Sequence, residues 1–147
     1  MSVDIIINDP RWNDINLDVD LVVKTIRDHL TIKKEAGFSL LLTNDEEIKI
    51  FNSTYRDKDK ATNVLSFPCE NIEGYVGDLI ISYETVEKEC CDQKKNHVDH
   101  SIHMITHGFL HLLGYDHVKD KDAEVMEAHE IVILSRLNIK NPYDISP

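Results

Sequence analysis

The sequence of 147 residues is poor in cysteine, and no apolar run in it approaches the roughly 18 residues that a membrane-spanning helix requires. Its three cysteines, Cys69, Cys90 and Cys91, are odd in number and two are adjacent, so they form no disulfide framework and are typical of a reducing compartment. The first residues contain neither the basic region nor the cleavage site of a signal peptide. These absences predict a cytoplasmic protein that has no membrane partner.

The chain has no excess of positive charge, because its 27 acidic residues outnumber its 16 basic residues and the formal net charge is −11. Such a balance argues against a protein whose whole surface binds nucleic acid. The charge is unevenly distributed: residues 24–34 hold four basic residues and one acidic residue, whereas residues 116–130 hold six acidic and two basic. An RNA-binding surface on this protein must therefore be local.

Six of the eight histidines lie between His97 and His117. At about 100° per residue, the apolar residues of this stretch share one face of a helix and three histidines share the opposite face. The apolar face consists of Ile102, Ile105, Phe109, Leu112 and Leu113, and the histidine stripe consists of His103, His107 and His111. Gly114 can adopt the left-handed conformation that ends a helix, after which the chain can reverse and bring His117 back.

Three imidazoles at the spacing H-x3-H-x2-G-x2-H are typical of a metal site. The sequence predicts one Zn²⁺ per chain, held by His107, His111 and His117, with a water molecule as the fourth ligand of a catalytic site. The spacing equals that of the metzincin peptidases, but Gly108 replaces their general-base glutamate. The ligand frame is therefore present, and the proton carrier of a peptidase is missing.

Four other residues of this stretch have expected roles outside the triad. Asp116 is a candidate substitute base, or equally a residue that orients the turn next to His117. His103 as a fourth ligand would close the site, so we expect it in the wall of the cleft or behind the ligands. His97 and His100 are expected to be exposed residues of the first helical turn.

Hydrophobic periodicity gives the element order β-α-β-α-β-β-α-α-α, with strands at residues 3–7, 38–43, 64–68 and 75–81. This order predicts one α+β domain over residues 1–147, a mixed four-stranded sheet packed with about five helices that include a zincin-like metal helix. We expect Gly37 to stop the first helix, Ser82 to cap the third, and the tail at 141–147 to fray.

A phosphodiester substrate requires a cation that can clamp a planar anion, and arginine suits this better than lysine. Arg56 is the candidate, in a charged loop predicted at residues 55–63, although its position alone is typical of a solvated loop arginine. RNA also carries its own nucleophile, the 2′-hydroxyl, so its cleavage does not require the missing glutamate.

The segment H-G-F-L-H-L-L-G-Y-D-H, residues 107–117, resembles the signature of the YbeY family, the bacterial ribosomal-RNA maturation factors proposed to be zinc-dependent endoribonucleases. Residues 52–68 and 77–82 resemble two further blocks of this family, and Met126 and Glu130 match a pattern in its last helix. The resemblance extends over most of the chain from about Phe38 to Leu137.

The resemblance implies a mixed sheet with surrounding helices, zinc on the three histidines and a catalytically important Arg56. It also implies single-strand-specific RNA cleavage, maturation of the 3′ end of small-subunit ribosomal RNA and late-stage ribosome quality control. The expected partners are RNA and the small ribosomal subunit, and no nucleotide cofactor is expected. The chain has Asn63 where the family usually has aspartate, and we expect Asn63 and Ser66 in the cleft near the ligands.

Two other functions stay open at this point. One is a zincin-type metallohydrolase that acts on a peptide or small molecule, for which a Gly108→Glu variant is expected to strengthen peptide hydrolysis. The other is a non-enzymatic ribosome assembly factor with a structural zinc, for which His103 is expected to fill the fourth coordination position.

Overall fold

The computed structural model describes residues 3–144. Its strands are β1 (Val3–Ile7), β2 (Gly37–Thr43), β3 (Val64–Pro68) and β4 (Tyr75–Ser82). Its helices are α1 (Val19–Leu30), α2 (Asp45–Arg56), α3 (Tyr83–Gln93), α4 (His97–Leu112) and α5 (Asp120–Arg136), and a short 3₁₀ helix spans Pro10–Asp14. The predicted α+β fold with a four-stranded sheet and five helices is confirmed.

The sheet is mixed, with the strand order β1-β2-β4-β3. Strands β1, β2 and β4 are parallel, and β3 runs antiparallel to β4, where Leu65 pairs with Ile80. Parallel neighbours need crossover connections, and α1 provides one between β1 and β2. The short loop between β3 and β4 instead returns the chain directly, so β3 forms an edge beside the helix that carries the histidines.

The two faces of the sheet pack against different helices, because side chains alternate along each strand. Leu40 of β2 and Leu79 of β4 lie in the larger core with α1, α3, α4 and α5. Ile80 lies on the opposite face, where it packs with Ile48 of α2 and Leu65. Arg56 at the end of α2 thus approaches β3 from one side, while α4 approaches it from the other.

Helix α4 is the most deeply buried helix on the sheet. Ile105, Phe109 and Leu110 have no exposed surface, and the ring of Phe109 stacks on Phe38 with centroids 4.8 Å apart. Burial of each such side chain contributes about 1.5–3 kcal/mol to stability. The apolar face of α4 is therefore fixed against the sheet, and its histidine face points away from it.

Two predicted helix signals are wrong. Helix α1 ends at Leu30 and is followed by Thr31 with φ +55°, and Gly37 is the first residue of β2. The early stop lets the Ile32 amide bond the Arg27 carbonyl at 3.0 Å while the Ile32 side chain packs on the core, as in a Schellman motif. Ser82 occupies the N-cap of α3, but its hydroxyl donates to Asp45 of α2 at 2.5 Å instead of capping.

The tail is also more ordered than expected. Residues 141–144 fold back against the protein, and the Tyr143 hydroxyl donates to Glu130 of α5. Residues 145–147 of the predicted fraying tail lie outside the described residues. Across residues 3–144, no helix combines the length and apolar character needed to cross a bilayer.

Gly77 allows β3 and β4 to pair closely, and this generates a test of the sheet. Its φ is +142°, and a Cβ here would lie 2.3 Å from the backbone oxygen of Phe67. We expect Gly77→Ala to lower the free energy of unfolding by about 3 kcal/mol or more, because backbone atoms must move. Gly74→Ala is the matched control, since φ is +80° there but the nearest atom is 3.4 Å away, and it should cost only about 1 kcal/mol. Equal losses in urea denaturation would contradict this account.

A histidine pair joins α1 to α5 and generates a pH prediction. His29 Nε2 lies 3.0 Å from His129 Nδ1, so one ring donates and the other accepts. Burial lowers the pKa of His29 from 6.5, and the nearby charges of His129 and Arg136 lower it further. The unfolded chain therefore binds this proton at a higher pH than the folded chain, and stability falls as the pH falls below 6.5.

We expect His29→Asn to reduce the slope of unfolding free energy against pH below pH 6.5 in the metal-free protein. The measurement is urea denaturation at several pH values. The slope, rather than the absolute stability, is the readout, because the substitution also removes a hydrogen bond. An unchanged slope would show that the pair does not lower the pKa of His29.

Candidate metal centre

Helix α4 and the turn after it bring three histidines together. The side chain of Asn96 caps α4 by accepting from the Asp99 amide at 2.8 Å. Gly114 has φ +104° just past the helix end, and the chain reverses there. One ring nitrogen from each of His107, His111 and His117 lies within 4.8 Å of the others, so a single ion could bind all three.

In two of the three rings a hydrogen bond at Nδ1 leaves Nε2 as the nitrogen that is free to bind a metal. His111 Nδ1 lies 2.9 Å from the Tyr115 carbonyl oxygen, which can only accept, so Nδ1 carries the hydrogen. His107 Nδ1 lies 2.6 Å from Glu130 Oε1, which as a carboxylate oxygen likewise accepts. Both imidazoles therefore leave Nε2 unprotonated, as a metal ligand requires. The residues present thus fit a metal ion.

Glu130 is a functional candidate that spacing alone did not identify. It has no exposed surface, yet burial is outweighed by hydrogen bonds from His103, His107 and Tyr143, which bring its pKa to about 2. The carboxylate is therefore ionised and can accept from His107. A signal was present in the sequence, because Glu130 lies on the same side of α5 as the buried Met126 and Ile133.

The ring of His111 is held in its neutral form. Burial lowers the pKa of His111 most, and the neighbouring His107 and His117 lower it further when they are protonated. A neutral imidazole is the form that coordinates a metal. The grouping of the three rings thus lowers the proton affinity that would compete with a metal ion at His111.

His103 lies behind the ligands. It is 7% exposed, and its Nε2 is 3.4 Å from Glu130 Oε1 and 3.5 Å from the Tyr143 hydroxyl. Within residues 3–144 it does not belong to the group of side chains that could hold a metal. This position does not favour a structural zinc closed by His103.

The expectation that His97 and His100 are exposed is wrong. His100 is 3% exposed, and its Nε2 lies 2.8 Å from Glu89 Oε1 of α3. The ring of His97 is half-buried and stacks on Tyr83 with centroids 4.6 Å apart. The reason is that the first turns of α4 pack against α3, which periodicity within α4 does not reveal.

Asp116 stabilises the turn. One of its carboxylate oxygens accepts from the backbone amide of His117 at 2.7 Å. This contact accounts for the orienting role considered for Asp116. Its role as a base stays a prediction.

A cavity of about 840 Å³ connects the triad to Arg56. Arg56 is the last residue of α2 rather than part of a loop, so the predicted position in a loop is wrong. One guanidinium nitrogen donates to the Ser66 carbonyl, and the guanidinium carbon lies 5.0 Å from the centre of the Phe67 ring. Strand β3 thus holds the guanidinium beside the triad and leaves part of it exposed.

Lys58 and Lys60 line the same cavity, and the sequence reasoning missed them. In the sequence Asp57 and Asp59 alternate with the two lysines, so the segment 57–60 has no net charge and does not stand out as basic. In the structure neither acid lines this cavity, and Asp59 lies 3.8 Å from Lys49 outside it. The cavity therefore brings three basic side chains, Arg56, Lys58 and Lys60, together with one acidic residue, Asp116.

Asn63 and Ser66 also line the cavity. The Asn63 amide nitrogen donates to both oxygens of Glu89, at 3.1 and 3.2 Å, and its oxygen accepts from the Val64 amide at 2.7 Å. An aspartate here would place a second carboxylate against Glu89. The Ser66 hydroxyl donates to the Gly108 carbonyl of α4 at 3.4 Å, which ties β3 to the metal helix.

Helix α4 lies close to the sheet at Gly108. A Cβ on Gly108 would lie 2.7 Å from a methyl group of Leu79, which has no exposed surface. The side chain would therefore begin in the packed contact between α4 and the sheet rather than in open space. A Gly108→Glu variant therefore requires the Leu79 side chain to move, and its folding has to be verified before its peptide hydrolysis is compared with that of the wild-type protein.

The chain is similar to proteins of one family. The model of the endoribonuclease YbeY family matches residues 7–138. Endoribonuclease YbeY of Agrobacterium fabrum is 46% identical over 117 residues, which cover 76% of this chain and 70% of the relative. Endoribonuclease YbeY of Azorhizobium caulinodans is 39% identical over 153 residues, which cover 97% and 96%. A solution structure from Thermotoga maritima shares the fold, with TM-score 0.62, 21% identity and coverage of 99% and 98%.

Glu130 provides the test of this centre. We expect Glu130→Gln to weaken zinc affinity about 10- to 100-fold, because the neutral amide no longer holds the His107 proton on Nδ1 as strongly. The measurement is competition with a chromophoric chelator. Glu124→Gln is the matched control, since it removes the same charge from an exposed position of the same helix. Equal affinities in the two variants would contradict a role for Glu130 in the metal centre.

Proposed function

The chain belongs to the YbeY family of endoribonucleases, and from this membership we propose that it is a zinc-dependent enzyme specific for single-stranded RNA. It is a metal-dependent hydrolase by its family. The observation that carries the proposal is the single cavity that contains the histidine triad, Arg56 and two lysines. A metal ligand set beside a cationic surface suits a phosphodiester substrate.

The metal ligands in this proposal are His107, His111 and His117. Zinc is the ion that suits three neutral imidazole nitrogens, and when bound it supplies a Lewis acid that polarises a phosphoryl oxygen. Glu130 and the Tyr115 carbonyl keep the free electron pairs of two ligands directed at the ion. The two rings therefore already have the orientation and tautomer for metal binding in the metal-free protein.

Arg56 is the phosphate clamp of the proposal. Its anchor on the Ser66 carbonyl uses one of the five N–H donors of the guanidinium, and the others remain for a phosphate group. Lys58 and Lys60 neutralise the phosphates on either side. A single strand can turn its scissile phosphate into such a cavity, whereas the bases of a duplex hold its backbone in a helix.

The nucleophile in this proposal comes from the substrate. RNA carries a 2′-hydroxyl beside each phosphodiester, so the lack of a carboxylate at Gly108 is no obstacle. Arg56 holds the phosphate in the orientation for attack and stabilises the charge that develops on its oxygens. A peptide substrate would not use this cation in the same way.

We further propose that the substrate is small-subunit ribosomal RNA. On this proposal the protein binds the small ribosomal subunit in the cytoplasm, matures the 3′ end of the RNA and acts in late-stage ribosome quality control. The likeness to the YbeY family supports these roles, and the free cysteines fit a reducing compartment. Mapping of small-subunit RNA 3′ ends, after incubation of precursor subunits with the protein, tests the substrate.

Arg56→Ala is expected to reduce cleavage of a single-stranded RNA on the order of 100-fold or more, because the cation at the phosphate is lost. It should leave one zinc per chain, since Arg56 does not contact the triad. The matched control is Arg136→Ala, which removes an exposed arginine from the last position of another helix, α5. Cleavage rates and zinc content are measured on the same preparations.

The outcomes separate the hypotheses. Loss of cleavage in Arg56→Ala alone supports a ribonuclease site that includes Arg56. Identical cleavage in all three proteins would indicate a contaminating nuclease and would contradict the proposal. Zinc present without cleavage of any RNA would favour an assembly factor.

A further inference from the structure

The segment after α5 returns to the metal centre. Asn138 has φ +62°, and the Ile139 amide bonds the Leu134 carbonyl at 2.8 Å, so the chain turns sharply where α5 ends. Ile139 is buried, and the Lys95 amine donates to the Pro142 carbonyl at 3.4 Å. These contacts fix the segment between the start of α4 and α5, and they place Tyr143 beside Glu130.

Tyr143 completes the surroundings of the Glu130 carboxylate. The hydroxyl of Tyr143 donates to Glu130 Oε2, while Oε1 faces His107 Nδ1 at 2.6 Å. Its ring packs edge-on against His103, with centroids 5.7 Å apart. Tyr143 also lines a cavity of about 280 Å³ with His107, His117 and Glu130, on the α5 side of the ligands.

We infer that Tyr143 is a positioning residue of the metal centre, which acts through Glu130 on His107. The hydroxyl holds one carboxylate oxygen so that the other stays directed at His107 Nδ1. Glu130 has no exposed surface, so loss of the hydroxyl leaves a buried carboxylate oxygen with one donor fewer. Tyr143 lies beyond residues 7–138, the part of the chain that the family model matches.

This inference rests on the proposed metal ligands, but not on the proposed substrate. In a purely structural role, the Tyr143 ring would pack on His103 and hold residues 139–144 against the protein. Such a role predicts lower stability on loss of the ring and no change at the metal when only the hydroxyl is removed. The two roles are therefore separable by a phenylalanine substitution.

Tyr143→Phe removes the hydroxyl and keeps the ring. The variant should fold, because Tyr143 is 40% exposed and its ring contacts are retained. We expect zinc affinity to fall on the order of 10-fold, since substitutions behind metal ligands have effects of this size. The visible absorption of the Co²⁺-substituted protein should shift, because the orientation of His107 changes. If RNA cleavage is present, kcat should fall and KM should not.

Tyr83→Phe is the control. Within residues 3–144 the Tyr83 hydroxyl makes no hydrogen bond to protein, and its ring contacts Trp12 and His97 rather than the triad. This variant should match the wild-type protein in zinc affinity and in the Co²⁺ spectrum. A double variant, Tyr143→Phe with Glu130→Gln, should bind zinc no more weakly than Glu130→Gln alone, because both substitutions act through the same contact.

Wild-type zinc affinity together with a wild-type Co²⁺ spectrum in Tyr143→Phe would overturn the inference. Additive losses in the double variant would also overturn it, since Tyr143 would then act independently of Glu130. The metal measurements need no RNA, so absence of cleavage in the wild-type protein contradicts the proposed function and leaves this test intact. Arg56-dependent cleavage with an unaltered metal site in Tyr143→Phe would overturn only the role of Tyr143.

Discussion

The hydrogen bond between His107 and Glu130 is the interaction on which the candidate metal centre depends. It joins α4 to α5 at 2.6 Å and keeps the proton of His107 on the nitrogen that faces away from the metal position. A carboxylate without exposed surface is costly to ionise unless donors surround it. His103 and His107 of α4 and Tyr143 of the C-terminal segment are those donors, so the charge that orients His107 is stable only while both segments remain packed on α5.

The parts of the structure that the sequence predicted well are local. Helix α4 is specified by its 3.6-residue period, by the Asn96 cap and by Gly114, and these signals act within a few residues of one another. The triad follows from them, because a four-residue spacing places His107 and His111 on one face and the reversal at Gly114 returns His117. A ligand set encoded by one helix and one turn can be predicted without knowledge of the rest of the fold.

The parts that could not be predicted depend on contacts between distant segments. Glu130 is 23 residues from His107, and its burial follows from how α5 packs on α4. The position of Arg56 depends on the edge strand β3, whose Ser66 carbonyl holds it. The positive character of Lys58 and Lys60 appears only once the intervening acids point elsewhere. No periodicity or spacing within one segment carries this information.

The packing of α4 on the sheet also limits the chemistry that the site can perform. Gly108 lets the helix lie against Leu79 and Ser66, and this contact brings the triad to the edge strand that holds Arg56. The same contact would place the first carbon of any side chain at position 108 against Leu79. The cation thus lies beside the ligands because the helix is close to the sheet, and the peptidase base is absent for the same reason. A substrate that supplies its own nucleophile and carries a negative charge at the reacting group meets both conditions, and RNA does so.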